Sequence, residues 1–152
     1  MAQPEINFVK LTRCSVPSSA YFKKRINFIL NYLSEKQKIS LSIIFLTGTQ
    51  IKKINSYWRG QKKATTVLTF SDYYEKRKND LLIKEKHLGD IFFCPQEIIK
   101  MAKKEKIKLN DYWDKILVHS LLHLYRYHHQ TKSAAQKMEA KEKIIIKAMA
   151  KI

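Results

Sequence analysis

Apolar and polar residues alternate from Glu5 to Leu11, the two-residue period of a strand with one face toward a core. After Pro17 and Ser18 the period lengthens. Tyr21, Phe22, Ile26, Ile29, Leu30 and Leu33 recur at three- and four-residue steps, as along one face of an amphipathic helix. The β-rich run from Ile39 to Leu46, bounded by Thr47-Gly48, predicts a second strand. Thr47-Gly-Thr-Gln50 has the form of a capping box and starts a short helix to about Tyr57. Val67–Phe70 and Gly89–Cys94 predict two more strands, and the polar, basic stretch from Ser71 to His87 reads as a loop or hairpin. Pro95, well placed in a first turn, opens a helix to about Glu105. Asn110 is expected to cap the next helix, whose apolar contacts come from Trp113, Ile116, Leu117 and Leu121. Ser133-Ala-Ala-Gln136 is a second capping-box pattern and begins the last helix, through Met138, Ile144, Ile145 and Met149. The string βαβαββααα predicts an α+β fold, a small mixed four-stranded sheet with packed helices in a single domain over 1–152.

Composition adds a sign to this outline. Thirty Lys and Arg against thirteen Asp and Glu give a formal charge of +17, which points to a polyanionic partner. Most of that charge is lysine, so a Lys-, Ile- and Asn-rich coding bias is the competing explanation. Charge alone cannot choose between RNA and DNA, because phosphate contacts position a protein without reading sequence. No stretch approaches the roughly 18 uninterrupted apolar residues of a membrane helix. The N-terminus MAQPEINFVK lacks the features of a signal peptide. Cys14 and Cys94 are isolated thiols, expected to act as small buried hydrophobes. A reducing, cytoplasmic location is the expectation.

The most specific chemistry lies in His119-Ser-Leu-Leu-His123-Leu-Tyr-Arg-Tyr-His128-His129. His119 and His123, four apart, share a helix face, and His129 follows six residues later. Three imidazoles with an open fourth position make a catalytic zinc site. A pair at that spacing alone would read better as a histidine-rich helix end; the third histidine turns the balance toward metal. An unbroken helix would carry the His129 Cα about 15 Å along the axis from His119, too far for one ion. The chain must therefore leave the helix between Leu124 and His129. Glycine would turn there most easily, but the sequence has Arg126, for which a left-handed conformation costs about 1–2 kcal/mol.

In this order, the pieces resemble the YbeY family of bacterial endoribonucleases, whose signature reads H-G-x-L-H-L-x-G-Y-D-H. Here His119, Leu122, His123, Leu124, Tyr127 and His129 match it. The family segments L-N-x-x-Y-R and P-T-D-V-L-S-F correspond to Ile54-Asn55-Ser-Tyr-Trp58-Arg59 and Ala64-Thr65-Thr66-Val67-Leu68-Thr69-Phe70. A family-like G-D-I stands at Gly89-Asp90-Ile91, and the final helix with Met138 and Glu142 sits where the family keeps one. Ser120 and Arg126 replace glycines, Ala64 replaces a proline, and Thr66 and His128 replace acids that could have oriented metal-binding imidazoles. His128 also adjoins His129, and the family spacing favours His129 as the ligand.

The resemblance implies a metal-dependent, single-strand-specific endoribonuclease. Such proteins act in ribosomal RNA maturation, at the 3′ end of small-subunit RNA, and in ribosome quality control. It implies one Zn2+ per chain on His119, His123 and His129, with Arg59 and His119 as catalytic residues and with ribosomal RNA and the small ribosomal subunit as partners. Arg59 suits phosphate, since a guanidinium is planar, permanently charged and able to bond in two places at once. Its plainer alternative is a structural ion pair. Lys52, Lys53, Lys62 and Lys63 surround it and are candidate contacts to the RNA backbone, although each alone is an ordinary solvated lysine. A zinc protease shares the H-x3-H-x5-H spacing, but Ser120 stands where that chemistry needs a glutamate base. The remaining rival is a non-catalytic ribosome-associated RNA-binding factor whose metal is structural.

Overall fold

The computed structural model describes residues 3–72 and 85–152. The order is β1 (Glu5–Lys10), α1 (Ser19–Tyr32), β2 (Lys38–Phe45), α2 (Gly48–Arg59), β3 (Val67–Ser71), β4 (Glu85–Phe93), α3 (Pro95–Glu105), α4 (Leu109–Leu124) and α5 (Lys132–Met149). The predicted βαβαββααα order is therefore present, and the sheet is mixed and four-stranded. Its strands lie in the order β1-β2-β4-β3, with β1, β2 and β4 parallel and the edge strand β3 antiparallel to β4. Among the described residues, no helix is long and apolar enough to cross a membrane.

Period-two alternation gives the sheet two dry faces. Ile39, Leu41, Ile43 and Phe45 of β2 join Leu88, Ile91 and Phe93 of β4 beneath α1, α3, α4 and α5. There Phe22, Phe45, Phe93 and Trp113 pack ring against ring, with centroids 5.3–6.3 Å apart. The opposite face is smaller. Ile51 and Ile54 of α2 cover Leu68 and Phe70 of β3, Phe92 and the buried Cys94. Burial pushes the Cys94 thiol up, so it is a packed hydrophobe; Cys14 is half-buried.

Several caps follow the sequence pattern. The Ser18 side chain accepts from the Tyr21 amide. Thr47 and Gln50 form the complete capping box of α2, and Pro95 opens α3. Two do not. α4 starts at Leu109 with Lys108 before it and no side-chain cap, so Asn110 lies inside the helix. The end is held by tertiary contacts instead: the Tyr21 hydroxyl reaches the Asn110 carbonyl at 3.3 Å and the Asp114 carboxylate, which also accepts from Arg25 at 2.6 Å. Thr131, not Ser133, caps α5 by accepting from the Ala134 amide.

The predicted loop from Ser71 to His87 also needs correcting at both ends, because β3 includes Ser71 and β4 begins at Glu85; its middle, 73–84, lies outside the described residues. The cause is a bulge. Two steps along β2, from Ser40 to Ser42, match three along β4, from His87 to Asp90. The extra residue keeps Leu88 and Ile91 on one face despite their odd spacing. Gly89 carries it at φ +139°, where a Cβ would lie 2.1 Å from the Phe70 carbonyl oxygen. A glycine that reads as a strand boundary is thus the hinge of a longer strand.

Candidate metal centre

α4 is buried along most of its length, and its half-buried positions His119 and His123 face a cavity of about 230 Å³. The cavity is lined by both histidines, His129, Arg59, Ile116 and the β3-side residues Thr65, Thr66, Val67 and Thr69. β3 is tied to the end of α4 by the Ser71 hydroxyl, which donates to the Leu124 carbonyl at 2.8 Å.

His129 arrives by a tight reversal. α4 ends at Leu124, and Arg126 takes a left-handed conformation at φ +67°. The Arg126 amide donates to the His123 carbonyl at 2.9 Å and the Tyr127 amide to the Leu122 carbonyl at 3.0 Å. These are the paired bonds of a Schellman turn, with arginine in the place that glycine usually takes. The turn satisfies two end carbonyls of α4 and sends the chain back toward His119. His128 points away, accepting from the Gln130 amide at 3.3 Å and lining a separate groove with Thr131 and Lys137.

One nitrogen from each of His119, His123 and His129 lies within 4.8 Å of the others. The His119 and His123 Nε2 atoms are 3.0 Å apart. Two ligands at 2.0–2.1 Å on a tetrahedral ion stand about 3.3 Å apart, so this pair is close to ready for a metal. The other nitrogens are engaged. His119 Nδ1 lies 2.5 Å from a Glu142 carboxylate oxygen, and His123 Nδ1 lies 3.0 Å from the Tyr127 carbonyl oxygen. Both acceptors favour a proton on Nδ1 and leave the Nε2 lone pair facing the cluster. The donor set fits a divalent metal ion.

Burial, followed by the nearby His119, lowers the His123 pKa from 6.5 to about 4; His129 and Arg59 push the same way, against the Tyr127 carbonyl. The ring is therefore neutral at pH 7, the form a metal requires. In the metal-free protein the unfolded chain takes up this proton first, near pH 6.5, and the folded chain only near pH 4. Stability should accordingly rise with pH across that window and be lost on acidification through it. Thermal melts of metal-free protein at pH 7 and pH 4 should show a smaller difference for His123→Gln than for the parent. Equal differences would place the acid sensitivity elsewhere.

Glu142, which the sequence marks only as part of the final helix, is the residue whose role at the cluster the sequence leaves unassigned. The inward stripe of α5 runs Met138, Glu142, Ile145 and Met149, at four-, three- and four-residue steps. A lone carboxylate in that apolar stripe was the available signal. It supplies from α5 the kind of support that Thr66 and His128 cannot. Ser120, by contrast, is fully buried and donates to the Ile116 carbonyl at 2.7 Å, away from the cluster.

Arg59 ends α2, followed by Gly60 at φ +65°. Beneath this corner the buried Asn55 side chain donates to the Lys63 carbonyl at 2.9 Å, fixing the loop that follows Arg59. Among the described residues Arg59 makes no ion pair with a carboxylate. Lys52, Lys53 and Lys62 line a second groove on the outer side of α2 and Lys63 is exposed beside it, so the four lysines flank the histidine cavity without lining it.

Sheet, reversal and cluster define a small α+β protein with a three-histidine candidate metal centre. The Endoribonuclease YbeY family model matches residues 10–150. A Francisella tularensis protein named Endoribonuclease YbeY is 32% identical over 137 residues, covering 88% of this chain and 82% of the relative. One of the same name from Bartonella henselae is 30% identical over 128 residues, covering 84% and 79%. The solution structure of TM1509 from Thermotoga maritima shares the fold, with a TM-score of 0.60 at 21% identity over 93% of this chain and 86% of that one. The chain belongs to the endoribonuclease YbeY family.

Proposed function

We propose that this chain is a metal-dependent endoribonuclease of the cytosol that cleaves single-stranded RNA in small-subunit ribosomal RNA maturation and ribosome quality control, its whole length forming one domain. The observation that carries the reading is the pair of Nε2 atoms 3.0 Å apart, each ring held through Nδ1, in one cavity with an arginine that has no carboxylate partner among the described residues. His119, His123 and His129 would hold one zinc ion. The chemistry such an ion supplies is acidification of water toward a pKa of about 7 and polarisation of a phosphoryl oxygen. The Arg59 guanidinium grips the non-bridging phosphate oxygens as charge grows on them. Glu142 keeps the His119 ring turned toward the cavity, and with both nitrogens engaged His119 serves catalysis as a ligand. The +17 charge supports a polyanionic substrate, and ribosomal RNA comes from the family resemblance.

The test is cleavage of unpaired RNA by metal-loaded and chelated protein. Cleavage should vanish with chelation and return with zinc, and His123→Ala should lose metal and activity together. Metal-loaded protein that binds RNA and never cuts it would replace this reading with that of a ribosome-associated binding factor.

A further inference from the structure

Two aromatic rings just before Arg59 at the end of α2 are far more exposed than packing requires: Tyr57 at 80% and Trp58 at 65%. Neither is loose. Their rings meet edge to face at 5.0 Å, and Trp58 rests on Phe70 at 5.9 Å, which in turn rests on Phe92 at 5.6 Å. The indole is thus braced from below with its remaining surface toward solvent. Among the described residues β3 is an edge strand, so its two faces meet along one rim of the sheet. Val67 and Thr69 line the histidine cavity on one face, while Phe70 carries Trp58 on the other. Trp58 and Arg59 are consecutive, one on each side of that rim.

We infer that Tyr57 and Trp58 form a base-stacking subsite for an unpaired nucleotide next to the phosphate held at Arg59. Rigid aromatic faces bind unpaired bases because every base has a π-face, and the gain is lost when the base is stacked within a duplex. The surroundings favour a nucleic acid over a protein. Lys52, Lys53 and Lys62 line the groove that Tyr57 borders, and lysine is depleted at the centres of protein interfaces. A strand crossing the rim lays its backbone among these lysines, a base on the indole and the next phosphate at Arg59. This subsite rests on the endoribonuclease reading for its substrate but makes a separate claim about binding.

Fluorescence separates the two. Trp113 is buried in the core, so quenching by an added strand reports on Trp58. Metal-loaded protein mixed rapidly with a short unstructured oligoribonucleotide should be quenched; the same strand annealed to its complement, or heparin as a base-free polyanion, should quench little. Trp58→Ala should weaken single-strand affinity about 5- to 150-fold, the range for loss of one stacked base. Affinity for duplex and heparin should not change, nor should the salt dependence, since no charge is removed. Trp58→Phe should keep most of the affinity. Unchanged single-strand affinity in Trp58→Ala, or an equal loss on all three probes, overturns the subsite; the first outcome leaves the rings as a protein-docking face. If the parent is quenched and never cleaves, the subsite stands and the nuclease reading fails. If it cleaves while Trp58→Ala binds normally, the reverse holds.

Discussion

Arg59→Ala should cut RNA about 10²–10³-fold more slowly than the parent, the usual loss when one charge-stabilising donor is removed from an active site. Metal content and thermal stability should stay near the parent's. The reason lies in how Arg59 is held. It ends α2, an exposed residue without a carboxylate partner among the described residues, and the corner beneath it is fixed by Gly60 and by Asn55 on the Lys63 carbonyl. The fold therefore needs the backbone here and not the guanidinium, which faces the cavity of the three histidines. Ground-state RNA affinity should fall less than rate, because the flanking lysines still neutralise phosphates. Arg59→Lys should recover only part of the rate, since an ammonium cannot bond two oxygens in one plane. Single-turnover cleavage, measured beside metal content and RNA affinity, is the check. A variant that cleaves as fast as the parent would remove Arg59 from the chemistry.

Why some features could be read from residues and others not has a common physical basis. Helix starts governed by local bonds were legible: Ser18 and Thr47 accept from amides three residues on, a relation contained in a few positions of sequence. The start of α4 was not, because Tyr21, eighty-nine residues upstream of Asn110, does the anchoring. Length of β4 was misread for a related reason. Gly89 interrupts the alternation locally, and only the partner strands reveal that the interruption is a bulge.

The same division runs through the candidate site. Histidine spacing demanded a reversal between Leu124 and His129, and the chain reverses at Arg126 in the strained conformation that the absence of glycine required. Convergence of the rings was arithmetic on a helix. Their support was not, since Glu142 reaches His119 from another helix, and no local spacing connects positions twenty-three apart. Lys52, Lys53, Lys62 and Lys63 show the opposite weakness: charge is visible in sequence, but its sidedness relative to the cavity appears only once α2 is placed on the sheet.

Glu142→Ala should weaken zinc binding about 10- to 100-fold, the typical cost of removing the group that orients a metal-binding imidazole. With the carboxylate gone, His119 Nδ1 turns to water, and the ring loses both its fixed tautomer and its fixed direction. Its Nε2 then points at the cluster for only part of the time. Glu142→Gln should lie between variant and parent, because an amide oxygen can still accept from Nδ1 but carries no charge to raise the ring's basicity. Both variants should fold, as the buried apolar core on α5 is made by Met138, Ile145 and Met149, which neither substitution touches. Competition with a chromophoric chelator gives the affinities, and circular dichroism confirms the fold. Unaltered zinc affinity in a folded Glu142→Ala protein would show that the 2.5 Å contact is incidental to the centre.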